Sequence, residues 1–357
     1  MQTHEGKMTM TTLKQSVLTL LPIFTVAAPL AFSAPAAQAK VKVVATLADY
    51  SWVAQQIGGE LVTTSVLCPS GQDPHFLAPR PSYAVEIGNA DLLISTGLDL
   101  ELWLNALLDK AGNNKVLPGQ PGFVRAADGV PLLEVPVSAD RSQGDVHVYG
   151  NPHLNTSPMN LRIIVHNIAL GLARVDPAHT SDYVAREKHL IAELDERAFG
   201  KELVAILGGD TLAKLTLKGK LWSFLGERDY KGQKLIAVLG GWYGRLRPLV
   251  GQSLVAYHRN WAYLARDFDL DVSTTVEVKP AVAPTAGHVA EVLAAIERKH
   301  IKFVLATSYD NAAQIETVAR RANIGTVVVP LHCGPQGYFA LIDGWVAAMS
   351  KQLGGAQ

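Results

Sequence analysis

From Lys40 onward, short apolar runs alternate with amphipathic stretches, the pattern of βα units built around a parallel sheet. Val41 to Leu47 and Leu61 to Leu67 read as strands, with a helix from Tyr50 to Ile57 between them. Pro81 to Asn89 reads as a helix, Asp91 to Thr96 as a strand and Leu100 to Ala111 as a helix. The Pro/Gly-rich stretch from Pro118 to Asp145 reads as mostly irregular. From Pro158 to about Phe199 the chain is nearly all helix-forming, with a break at Asp176-Pro177. The alternation then returns. Leu235 to Leu239, Ser253 to Ala256, Val272 to Val278, Phe303 to Thr307 and Thr326 to Leu331 read as strands, and His258 to Phe268, Ala286 to Lys299, Ala312 to Ala322 and Tyr338 to Leu353 as helices. Residues 208–251 are glycine-rich and aromatic and give no clear pattern.

The first 39 residues differ from the rest. Lys7 and Lys14 precede a largely apolar run from Val17 to Phe32, and Ala37-Gln38-Ala39 offers a cleavage site, so residues 1–39 read as an export signal. Pro22 and Pro29 interrupt a run already short for a membrane span. The first cysteine is Cys68, which excludes lipid modification just after the signal and points to a freely soluble periplasmic protein. What remains divides into a first lobe (40–158), a helical linking region (159–199) and a second lobe (200–357). Lysine plus arginine equals aspartate plus glutamate at 32 each, which gives no electrostatic case for nucleic acid or an anionic membrane. Two cysteines exclude a disulfide scaffold.

The candidate chemistry is histidine chemistry. Gly144 to Pro158, GDVHVYGNPHLNTSP, carries His153 in an Asn-Pro-His loop just before the long helical region, and a proline-stiffened loop can aim a ligand. Gln72 to Phe76 repeats the device at His75, in a loop past the end of a strand, where open α/β sheets bind ligands. His258 follows another strand, in YHRNWAY.

These three motifs, in this order on an α/β background, resemble the metal-binding substrate-binding proteins of ABC importers, of the zinc/manganese type. The resemblance spans nearly the whole mature chain. It implies two Rossmann-like lobes, each a mainly parallel sheet flanked by helices, joined by a long linking helix from Pro177 to Phe199. It further implies a monomer that holds a divalent metal between the lobes and hands it to a permease in the inner membrane. His75, His153 and His258 would be ligands. Where the family carries an acid after a late strand, this chain has Leu331-His332-Cys333, so the fourth ligand is open among His332, Asp310, Glu277 and Cys333. His332 is favoured for its place after an apolar strand, and its nitrogen would complete a set better matched to zinc than to manganese. His147, six residues before His153, reads as a solvated loop residue. Cys68 and Cys333 allow a disulfide, two packed thiols or a thiolate ligand. Trp261 and Tyr263 read as core of the second lobe. The alternative functions are a secreted zinc hydrolase, disfavoured because H-E-x-x-H is missing, and a periplasmic metallochaperone.

Overall fold

The strand β1 (Val41–Leu47, VKVVATL) is apolar or β-branched at almost every position, and all of it but Lys42 is buried. A strand buried on both faces belongs at the centre of a helix-covered parallel sheet. In the computed structural model, which describes residues 1–11, 39–136, 147–277 and 282–354, it occupies that position. The chain divides into two units, residues 1–38 and 39–357. The described part of the first, residues 1–11, has neither helix nor strand, and the apolar run from Val17 to Phe32 lies outside the described residues.

In the second unit, β1 runs directly into α1 (Ala48–Gly58), followed by β2 (Val62–Cys68), α2 (Pro81–Gly88), β3 (Leu92–Ser95), α3 (Leu104–Ala111) and β4 (Phe123–Arg125). The sheet order is β2-β1-β3-β4, all parallel. β4 falls inside the segment expected to be irregular; at three residues it is too short to show a period.

Ser157 starts α4 (Pro158–Val175), its hydroxyl accepting from the amides of Met159 and Asn160 while Pro158 takes the first helical position. Asp176-Pro177 stops α4 as expected. A single turn, Pro177–His179, leads into α5 (Thr180–Phe199), and Asp176 accepts from Tyr183 Oη at 2.6 Å across the break. With 20 residues α5 is about 30 Å long. It packs on α1 and α4 of the first lobe and on α9 (Gly241–Leu246) of the second.

Between α5 and the second sheet lie α6 (Lys201–Leu207), α7 (Gly209–Leu217), α8 (Leu221–Glu227) and a small hairpin of β5 (Asp229–Tyr230) and β6 (Gln233–Lys234), followed by α9. The strand expected at Leu235 to Leu239 is instead a turn of 3-10 helix, Leu235–Ala237. An apolar run this short is compatible with either form, and the neighbouring helices decide it.

The second lobe then follows as β7 (Ser253–Ala256), α10 (Ala262–Phe268), β8 (Asp271–Thr275), α11 (Ala286–Lys299), β9 (Phe303–Thr307), α12 (Ala312–Ala322), β10 (Gly325–Val329) and α13 (Gly337–Gln352). Its parallel sheet has the order β10-β9-β7-β8. Read from β8, this repeats the strand order of the first lobe. Each sheet therefore has one point, β1/β3 or β7/β9, where successive crossovers diverge and leave a crevice at the strands' carboxyl ends.

The lobes are also joined by a buried polar hub. Asp267, at the end of α10 and 1% exposed, accepts from Ser157 Oγ at 2.6 Å, Tyr243 Oη at 2.7 Å and Arg266 Nη2 at 2.7 Å. Arg266 reaches on to Ser157 Oγ and Asn160 Oδ1. The start of α4 is thus bonded to α10.

Candidate metal centre

The loop after β2 places Asp73 two residues before His75. The carboxylate accepts from the backbone amide of His75 at 2.9 Å and from its Nδ1 at 2.6 Å. This pins the ring with Nδ1 as donor and leaves Nε2 to point away. Burial pushes the Asp73 carboxyl up, but the bonds and charge of His75 outweigh it and the net shift is downward. Trp103 Nε1 donates to Pro74 O at 2.7 Å and fixes the middle of the motif.

Asn151-Pro152-His153 reproduces the turn. Asn151 Oδ1 accepts from the His153 amide at 3.0 Å and its Nδ1 at 2.9 Å. Gly150, with φ of 107°, makes the bend before it; a side chain there would crowd Leu133 O. On the second lobe, His258 follows β7 and its Nδ1 is bonded to Glu277 Oε2, past the end of β8, at 2.9 Å.

These turns bring His75, His147, His153 and His258 together, with one potential ligand atom of each within 4.8 Å of the others. The ring centroids of His75 lie 5.2 Å from those of His147 and His153 and 5.8 Å from that of His258. Nε2 of His153, Nε2 of His258 and Nδ1 of His147 are buried without a hydrogen-bond partner. Buried polar atoms are normally satisfied, so orphan nitrogens on three clustered histidines fit a cation.

His147 corrects the sequence reading. Instead of being solvated it is partly buried, with its Nε2 3.4 Å from Nε2 of His75. Burial, followed by the charges of His75 and His258, pushes its pKa down to about 3. Burial and the neighbouring rings likewise push His153 well below its ordinary value. Above about pH 6.5 both rings are neutral whether the chain is folded or not. Below that, the unfolded chain takes up protons that the folded chain refuses. Metal-free protein should therefore lose stability as pH falls below about 6.5, by up to about 1.4 kcal/mol per pH unit for each ring, with the His147 contribution running down to about pH 3. Urea unfolding at pH 7, 6 and 5 checks this; a midpoint independent of pH contradicts it.

His332 lies outside the group. Its Nδ1 is bonded to Asp49 Oδ2 at 2.6 Å, and Asp49 Oδ1 accepts from the Cys333 amide at 3.0 Å. Asn155 Nδ2 donates to Leu331 O at 2.7 Å, so the loop after β10 is held against the first lobe. His332 Nε2 is also buried without a partner, but His147, not His332, is the fourth residue whose ligand atom lies within 4.8 Å of those of His75, His153 and His258. Nor does Cys333 join the group: both cysteines are free and buried, with no disulfide, and burial pushes both thiols up, Cys68 to about 12. Two packed thiols is the reading that holds.

Of the acidic candidates, Glu277 orients His258, and Asp310 accepts from the Thr307 amide at 2.7 Å. Burial pushes the Asp310 carboxyl up to about 6. Both line a cavity of about 410 Å³ next to the cluster, together with Asp73, Tyr257, His258 and Tyr309. Asp49 leaves no signal in the sequence, because its partners His332 and Cys333 sit in the opposite lobe.

Two parallel-sheet lobes with imidazoles converging at their carboxyl ends define a two-lobed metal-binding protein. The chain belongs to the family of zinc-uptake complex component A, periplasmic (ZnuA), whose model matches residues 43–199 and 236–353. That is a family of solute-binding proteins of metal importers, not of enzymes. A putative metal-binding protein of Treponema pallidum is 24% identical over 289 residues, 79% of this chain and 75% of that one. The manganese ABC transporter substrate-binding lipoprotein PsaA of Streptococcus pneumoniae is 28% identical over 157 residues, 44% of this chain; the match spans about half of that relative, 49%. A crystal structure of ZnuA superposes with a TM-score of 0.64 at 20% identity, covering 89% of this chain and all of that one. Among the described residues no helix is long and apolar enough to cross a membrane.

Proposed function

We propose that this protein captures Zn²⁺ through His75, His147, His153 and His258 and delivers it to an ABC permease of the inner membrane, working in the periplasm after removal of residues 1–39. The observation that carries the reading is the all-imidazole donor group with its convergent unpartnered nitrogens. Zn²⁺ accepts four nitrogen ligands without a geometric penalty, whereas Mn²⁺ favours hard oxygen donors. One relative is named for manganese, but the carboxylates nearest this cluster are engaged with His75 and His258 as orienting partners. They also offset the charge of an ion held by neutral ligands. The expected partners are therefore the ion and the permease, with the protein acting as a monomer. A fourth imidazole in place of an exchangeable water favours holding the ion over hydrolysis.

The test is metal analysis of protein refolded in a mixture of divalent ions, followed by competition against a chelator. One Zn²⁺ per chain, with Mn²⁺ weaker by roughly a hundredfold or more, is expected. Preferential retention of Mn²⁺ would overturn the assignment of metal, and retention of no ion would overturn the site.

A further inference from the structure

The two Asx-Pro-His turns look interchangeable, and around their histidines they are: each Asx side chain accepts from the ring Nδ1 and the backbone amide of its histidine. They differ in the other half of the side chain. Asp73 is acceptor-only, and its histidine is secured entirely within the first lobe, with Trp103 holding Pro74. Asn151 has an amide nitrogen as well. That nitrogen donates to Arg259 O at 2.8 Å and to Glu134 Oε2 at 2.8 Å. The carbonyl of Asn151 accepts from Tyr263 Oη at 2.6 Å. Arg259 follows His258 directly, and Tyr263 lies in the first turn of α10. Asn151 is fully buried, so none of these bonds is exchanged for water.

We propose that Asn151 is the positioning residue that sets the two lobes' histidines in register: one side chain fixes the tautomer of His153 and ties it to the backbone beside His258. The inference rests on the metal reading above. It requires an amide at this position. A carboxylate would still accept from His153, but it would face Arg259 O and the Glu134 carboxylate with no proton to give. Tyr263 is the second member of the device, its hydroxyl holding the same residue from the second lobe.

Asn151→Asp and Tyr263→Phe test it, each a near-isosteric change that keeps all four histidines. Co²⁺, whose visible spectrum reports ligand geometry, is the probe, alongside Zn²⁺ competition and thermal melting of the metal-free chains. Wild type should bind both ions. Asn151→Asp should bind Zn²⁺ about 10–100-fold more weakly and show an altered cobalt spectrum at saturation, a change that a general loss of stability does not produce. Tyr263→Phe should shift both in the same direction by less, and it decides the matter if Asn151→Asp does not fold. If wild type binds while the variants keep its affinity and cobalt spectrum, the role of Asn151 is overturned and the metal site stands. If wild type binds neither ion, the metal reading itself falls.

Discussion

Alanine at His147 is expected to lower zinc affinity by about a hundredfold to a thousandfold and to leave the metal-free fold nearly as stable as before, whereas alanine at His332 is expected to cost stability and to change affinity little. A four-ligand zinc centre draws about 10–16 kcal/mol from its ligands together, so each nitrogen accounts for about 2.5–4 kcal/mol, and a similar loss is expected at His75, His153 and His258. His147 has a buried Nδ1 with no partner and a single long contact, 3.4 Å, from Nε2 to His75 Nε2, so removing the ring gives up little bonding. His332 is different, because its removal strands the fully buried carboxylate of Asp49, which costs stability and changes affinity by less than about tenfold. Chelator competition and urea unfolding on the same set of variants separate the two. Equal affinities for His147→Ala and wild type would remove His147 from the centre, and a large affinity loss in His332→Ala with an intact fold would restore His332 to it.

The largest effect on stability is expected at Asp267. Asp267→Ala leaves Arg266, Ser157 and Tyr243 without their shared acceptor in a dry interface, and breaking a buried charge pair of this kind costs about 3–5 kcal/mol. Urea unfolding should show a lower midpoint with an unchanged slope. A loss under about 1 kcal/mol would mean that water or a neighbouring donor replaces the carboxylate.

The sheets were legible in the sequence wherever a strand is buried on both faces. Val41–Leu47 and Phe303–Thr307 are almost wholly apolar or β-branched and occur where the pattern puts them. Phe123–Arg125 was not legible, since three residues carry no period. His75, His153 and His258 stood out because proline or a strand end frames each of them. His147 did not. Its neighbours resemble those of any surface loop, and only the arrival of His75, 72 residues away in sequence, makes it part of a cluster. The pairing of His332 with Asp49 spans 283 residues and leaves no local trace in the sequence, where a histidine at the end of a strand looks the same whether or not it has such a partner.

The helix α5 runs along both lobes, and the hub at Asp267 and the bonds of Asn151 fasten them further at the cleft. A stiff frame of this kind does not let an ion go by swinging open. An ion held in it by the four imidazoles would leave by ligand exchange, as incoming donors take over their positions. Among the described residues, one face open to such donors is the acidic cavity beside His258, lined by Asp73, Glu277 and Asp310. Hand-over would then be an associative reaction whose rate depends on the receiving donors, and dilution alone would leave the cargo in place.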